Sequence, residues 1–327
     1  MRVCVTGSSG YIGNKLIAAL RERRLADEIV GIDILEPRAA ENMDAFYRRD
    51  VREPAGDILR KHRIDTVVHA AFILPPIHNT ARMEDVNVNG TRVVFDEALA
   101  NGVRRILYTS SATAYGFHPD NDRPLTEESD LRGNDDFTYS KTKRIIEAMI
   151  AAYRRERPDA VITVLRPSFV VGPGFDNPLA WHLNKRVVIL PSRTEPMQFV
   201  HEDDLLEIMC MMLARGEGGD WDVGADGTVP LQDMVGMLGN RMLGLPAGLM
   251  AVLNTIAWTC RLSFLSAFPT PALNMVLYPW VVSGEKLRRI TGYSYRYTSR
   301  EAFEDYAAHV RGLRAVSGRR AGRAARC

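Results

Sequence analysis

The segment that most narrows what this chain can fold into is its start. Arg2–Thr6, a short β-branched run, leads directly into Gly7-Ser8-Ser9-Gly10-Tyr11-Ile12-Gly13, and a helical pattern follows. Each glycine meets a separate steric demand. Gly7 permits a tight turn out of the strand, Gly10 lets backbone N–H groups approach a pyrophosphate, and Gly13 lets the helix pack closely on the strand. The helix N-terminus adds a field that favours phosphate. Ser9, Tyr11 and Ile12 complete that cradle. Three glycines alone are weak evidence, but Asp33 ends the next predicted strand twenty residues after Gly13. A carboxylate there accepts hydrogen bonds from both ribose hydroxyls and repels a 2′-phosphate, which favours NAD over NADP. The nearby guanidinium of Arg38 is the feature that argues the other way.

The rest of the first two thirds alternates strand and helix. Buried-strand patterns fall at 28–33, 65–70, 105–110 and 160–166, and helical spacing at 11–24, 85–101 and 139–155. That alternation predicts an α/β fold, a Rossmann-type doubly wound parallel sheet. It dissolves near Pro167, after which come Pro/Gly-rich loops, a strand at 187–190 and a helix at 203–213. The expected organisation is a dinucleotide-binding core over 1–167, a smaller substrate-binding or lid region over 168–310 interleaved with it, and a basic, disordered tail over 311–327.

Tyr139-Ser140-Lys141-Thr142-Lys143 sets a phenol and an ammonium four residues apart on one helix face. Held near a dinucleotide, a lysine charge stabilises phenolate and draws the tyrosine pKa down from about 10. Tyr139 can then take a proton from an alcohol or return it to a carbonyl. Ser111, at the carboxyl end of a predicted strand, can hydrogen-bond the reacting oxygen. A bare YxxxK is usually a solvated helix face; it gains meaning jointly with the glycine turn and the serine.

With those residues in place the chain resembles the extended short-chain dehydrogenase/reductase family, also called the NAD-dependent epimerase/dehydratase family. The resemblance runs over residues 1 to about 205 and more faintly to about 310. It implies catalytic roles for Ser111, Tyr139 and Lys143, a substrate-facing Thr113, and cofactor contacts from Asp50-Val51 on the adenine side. It also implies cofactor-lining roles for His69-Ala70-Ala71, Asn87 and Arg166. For His69 and His201 alone, a satisfied structural histidine is the better reading. Phe199–Asp204 matches a further family block, and the family often forms homodimers.

Within that family the residues sort the chemistry. Sugar-nucleotide 4,6-dehydratases carry Asp-Glu after the catalytic hydroxyl residue; here Ala112-Thr113 follows Ser111, which argues against that dehydration. Many nucleotide-sugar enzymes place an asparagine three residues after the arginine of the sixth strand, where this chain has Phe169. An apolar substrate, as in steroid or flavonoid reductases, is the expectation, with hydride moving between NAD and a secondary alcohol or ketone. A UDP-sugar epimerase with tightly bound NAD and a non-catalytic NAD-binding scaffold are the alternatives.

Charge adds two observations. Six arginines and no acid follow residue 310; without them 36 basic residues face 40 acidic ones, so the apparent +2 comes from the tail. With no aromatic interleaving, that tail reads as a solvated terminus, and no nucleic-acid partner is expected. Between Arg241 and Glu285 the only charged residue is Arg261, leaving uncharged runs of 19 and 23 residues. Leu249, Val252, Leu253, Ile256 and Cys260 recur there at helical spacing. An apolar substrate lid is the preferred reading, core or dimer contact the next, and peripheral membrane contact the third. Cys4, Cys210, Cys260 and Cys327 lie far apart with no metal-ligand spacing, so no metal is expected. Such sparse thiols, and a start that enters a strand at once, imply a cytoplasmic protein without a signal peptide.

Overall fold

The computed structural model describes residues 1–263 and 265–324, with side chains up to Ala315. Seven parallel strands form the central sheet: β1 (Arg2–Thr6), β2 (Glu28–Asp33), β3 (Ala45–Arg48), β4 (Thr66–His69), β5 (Arg105–Thr109), β6 (Val161–Pro167) and β7 (Gly219–Val223). Their order across the sheet is β7-β6-β5-β4-β1-β2-β3, and every neighbouring pair is parallel. The order reverses between β1 and β4, so their carboxyl ends open the crevice in which such sheets bind ligands.

Helices cover both faces. On one side α1 (Tyr11–Glu22) packs beside the helix Glu202–Arg215 over Val3, Val5, Leu16, Leu20 and Met209. On the other, α2 (Gly90–Ala100) and α3 (Thr138–Glu156) cover Cys4, Val30, Val67, Ile106 and Val164. Each such aliphatic side chain, fully withdrawn from water, contributes about 1.5–3 kcal/mol. The β1 and β2 boundaries match the sequence expectation residue for residue. The edge strands β3 and β7 do not announce themselves, being short and carrying Arg48, Asp220 and Asp222.

Strand β7 lies beyond Pro167, so a boundary at residue 167 cuts the sheet. The remainder has its own core, in which Val171, Phe175, Phe199, Trp280, Phe303 and Tyr306 meet Ala112, Tyr115, Phe117 and Phe137. Two parallel ribbons, Val187–Pro191 with Arg241–Leu245 and Phe169–Val171 with Phe199–His201, frame it. The expected disorder from residue 311 is not seen over the described part: one helix runs Ser299–Ala324. Arg311 donates to the Met237 carbonyl, and Arg314 to those of Leu238 and Asn184, which pins this stretch to the body. Arg326 and Cys327 lie outside the described residues.

Candidate active site

The glycine turn sits at the switch point. Gly7 adopts φ +73, a left-handed conformation that a side chain disfavours. A Cβ there would also fall 2.5 Å from the Ala71 nitrogen, because the loops leaving β1 and β4 converge. A Cβ on Gly13 would run into the Gly7 carbonyl, and one on Gly10 would come within 3.1 Å of the same oxygen. No side chain caps α1 and its first turn carries no acid, which leaves N–H groups of that turn as donors suited to an anion. Asp33 frames the other wall: its carboxylate accepts from the Ser9 N–H and the Leu35 N–H, both at 2.9 Å. One lone pair per oxygen remains for further donors. The chemistry of this set, backbone donors at one end and a carboxylate at the other, fits a dinucleotide.

Tyr11 turns its side chain away from the cradle. Its hydroxyl donates to Glu202, which also accepts from the Lys15 ammonium at 2.7 Å. Burial pushes the Glu202 carboxyl up to about 7. A Cβ on Gly174 would come 2.6 Å from the Tyr11 ring, so α1, the 172–174 loop and the helix Glu202–Arg215 close on one polar knot.

The catalytic candidates come together on α3 and the turn after β5. Ser111 opens a single 3-10 turn, accepting from the Thr113 N–H at 3.2 Å. Ser140 fastens α3 to that turn by donating to the Thr113 carbonyl at 2.7 Å. Burial raises the Tyr139 phenol pKa, while the nearby Ser111 and Thr113 hydroxyls draw it back. The Lys143 Nζ lies 6.0 Å from the Tyr139 ring centre. It donates to the Thr109 carbonyl at 2.8 Å and the Tyr108 hydroxyl at 3.1 Å. Burial pulls this lysine down to about 7, opposed by the field of Glu147.

Three residues that the sequence reading passed over complete the site. Phe72 lies face-on to the Lys143 ammonium, 3.8 Å from its ring centre, and edge-on to Tyr139; its only signal is that it directly follows His69-Ala70-Ala71. Glu147 occupies the next turn after Lys143, so Tyr139, Lys143 and Glu147 share the i, i+4, i+8 face. Its carboxylate accepts from the Ser110 hydroxyl and from Arg166. Asp222, brought by β7, accepts from the Tyr115 hydroxyl at 2.9 Å and is pushed up by burial and by Glu127.

Several expected cofactor residues have partners within the chain. Arg166 is 3% exposed, and its guanidinium is directed to Glu147, Asp220 and the Tyr115 hydroxyl. None of those partners belongs to the cradle, so it acts as a buried counter-charge. Asp50 is bound by the Arg52 backbone and guanidinium, and Arg52 bridges it to Asp85. Val51 sits beside it, against Gly90. The His69 ring lies between the Thr6 and Thr91 hydroxyls, and burial lowers it to about 3, so it is a neutral, satisfied histidine. Asn87 ties down the loop after β4, accepting from the Ile73 N–H at 2.8 Å and donating to its carbonyl. His201, stacked on Tyr297 and bonded to the Asp203 N–H, is likewise structural. Phe169 packs against Phe175, Phe199 and Trp280. Among the described residues no group of His, Cys, Asp and Glu is arranged to hold a metal.

Known proteins share both sequence and architecture with this chain. An uncharacterized protein of Mycobacterium tuberculosis is 28% identical over 313 residues, covering 93% of this chain and 82% of its own length. Sterol demethylase protein B of Methylococcus capsulatus is 30% identical over 183 residues, 53% of this chain and 52% of its own. The Thermus thermophilus UDP-glucose 4-epimerase, solved in complex with NAD, superposes with a TM-score of 0.75 at 21% identity, covering 95% and 99% of the two chains. A model of the NAD dependent epimerase/dehydratase family matches residues 3–224. Cradle, sheet order and family match agree: the chain belongs to the NAD dependent epimerase/dehydratase family and is an NAD-dependent enzyme.

Proposed function

We propose that the protein catalyses net hydride transfer between NAD and a secondary alcohol or ketone on an apolar substrate. One observation carries this reading. Aromatic contacts run without a break from the phenol-bearing residue through the core to half-buried Phe169: Tyr139 to Phe137, Phe137 to Phe117, Phe117 to Trp280, and Trp280 to Phe169. The half-buried rings at its two ends, Tyr139 and Phe169, and Phe72 edge-on to Tyr139 favour a hydrocarbon skeleton and offer no charged partner for a diphosphate.

The first-turn N–H groups of α1, Gly7, Gly10 and Asp33 would hold NAD, which supplies the hydride acceptor or donor when bound. The chain's own residues handle the proton and the geometry. The Ser111 hydroxyl orients the substrate oxygen, and Tyr139 takes its proton on oxidation or returns it on reduction. Burial opposes both ionisations, raising the Tyr139 phenol and lowering the Lys143 ammonium. Formed together, phenolate and ammonium relieve each other, and this lets a buried phenol act near neutral pH. Thr113, whose buried hydroxyl oxygen has no hydrogen-bond partner within the chain, is suited to a second contact with the substrate oxygen.

The second reading, UDP-sugar epimerisation, is favoured by the likeness to the Thermus thermophilus enzyme. A non-catalytic scaffold is disfavoured by the packing of Ser111, Tyr139 and Lys143 into one buried site. Incubation with NAD and either apolar secondary alcohols or UDP-sugars, followed in the near ultraviolet, separates the readings. Net NADH with an apolar alcohol is the expected result. An isomerised UDP-sugar with no net NADH would overturn the proposal in favour of epimerisation.

A further inference from the structure

Part of the uncharged span packs into the core, and part of it lies outside. Its helix, α4 (Ala247–Thr259), is built inside out. Met250, Asn254 and Ala257 face the body and are buried. The Asn254 amide there donates to the Phe268 carbonyl and the Thr270 hydroxyl and accepts from the Ser266 hydroxyl. The opposite face presents Leu249, Val252, Leu253 and Ile256, which are 49%, 58%, 49% and 53% exposed. The neighbouring ribbon adds exposed Val187, Ile189 and Leu243. A contiguous apolar face of this kind marks an interaction surface.

We infer that this face docks on an anionic lipid bilayer, with α4 lying in the plane of the interface. Two observations choose that occupant. The first is charge. Arg186 and Arg241 stand at one end of the ribbon, with the Arg241 N–H bonded to the Arg186 carbonyl. Arg193 lies at the other end and Arg261 just past the end of α4, and all four are exposed. Among the described residues none of the four is ion-paired, and no acid occurs between Arg241 and Glu285. Lipid phosphates complement such a rim, each arginine near the surface adding about 1 kcal/mol. A second copy does not: a two-fold interface places the same patch on both sides, and between Arg241 and Glu285 that patch carries no acid to answer the arginines.

The second observation is length. Thirteen residues span roughly 20 Å, well short of the ~30 Å hydrocarbon core, and no described helix is long and apolar enough to cross a membrane. An interfacial helix needs an apolar face and flanking cations rather than length. The surface also connects to the catalytic region. Trp258 near the end of α4 stacks on His78, ring centres 4.1 Å apart, and His78 ends the apolar Ile73–Ile77 loop that leaves Phe72 over Lys143. The inference stands whether or not the substrate is apolar.

Vesicle co-sedimentation of the full chain tests it, using phosphatidylcholine alone and phosphatidylcholine with phosphatidylglycerol. The wild type is expected to pellet with the phosphatidylglycerol vesicles, and less at high salt. The doubly substituted variant Leu253→Asp/Ile256→Asp should weaken binding about tenfold or more while keeping the wild-type melting temperature. Arg193→Ser/Arg261→Ser, which leaves the apolar face untouched, should weaken binding to the anionic vesicles alone. A wild type that stays in the supernatant overturns the inference. So does a wild-type dimer that Leu253→Asp/Ile256→Asp dissociates without any change in vesicle binding.

Discussion

Helices α3 and α4 both turn polar groups inward, yet they do so to opposite ends. In α3 the buried Ser140, Thr142, Lys143 and Glu147 gather charge around the phenol proposed to react, and each charge is answered by another buried group. In α4 the single buried Asn254 only anchors the helix, and the surface left outside is aliphatic. Buried polarity thus gathers charge in the first helix and sets orientation in the second. What tells them apart is whether the buried group carries charge, and what the outer face is left to meet.

The contrast can be broken at measurable points. The largest effect belongs to α3: Tyr139→Phe should lower kcat by about 10²- to 10⁴-fold with unchanged circular dichroism. Turnover within a few-fold of wild type would remove the phenol from the mechanism. The second concerns the buried charge itself. Lys143 titrates at about 7 in the fold against about 10.4 in an unfolded chain. Between those values the unfolded chain holds a proton that the folded one does not, so stability rises with pH across that window and is flat below it. Urea titrations of wild type and Lys143→Met at neutral and alkaline pH should show this slope in wild type only. A wild type whose slope matches the variant would mean that the lysine is not held as described.

The α4 predictions are smaller. Asn254→Ala should cost about 1–3 kcal/mol, because it removes the buried amide's bonds to the Ser266 hydroxyl, the Phe268 carbonyl and the Thr270 hydroxyl; Leu253→Ser on the outer face should stay within about 0.5 kcal/mol. If the outer substitution proved as costly as the inner one, that face would be covered in solution. The comparison extends to the cradle, where Asp33→Ser should narrow the preference for NAD over NADP by about tenfold, roughly 1.4 kcal/mol, read from the two apparent Kd values. A preference left intact would shift that choice to other residues such as Arg38.

How much of this was legible in the sequence follows from the range of the forces involved. The glycine turn, Asp33 and the Tyr139–Lys143 spacing are local, and the structure assembles them where the pattern predicts. Glu147 was legible in principle, one turn beyond Lys143. Asp222, Glu202 and Tyr115 were not, since each acquires its partner across long stretches of chain: Tyr115 with Asp222, Tyr11 with Glu202. Arg166 is expected at the cofactor from its motif, and its ion pairs with Glu147 and Asp220 are likewise invisible at the level of local pattern. Periodicity located α4 but not its direction, because an apolar stripe looks the same whether it faces a core or the outside. The buried Asn254 decides that question, and its partners lie twelve to sixteen residues further on.

The His78–Trp258 stack has a practical consequence. An indole held against an imidazole on the loop that follows Phe72, the ring over Lys143, is a built-in optical reporter, and Trp280 in the aromatic core is a second one. Emission from the two should respond differently to cofactor and to substrate, with Trp258→Phe and Trp280→Phe separating the signals. Ligand entry can therefore be followed by intrinsic fluorescence, without a label and before a turnover assay exists.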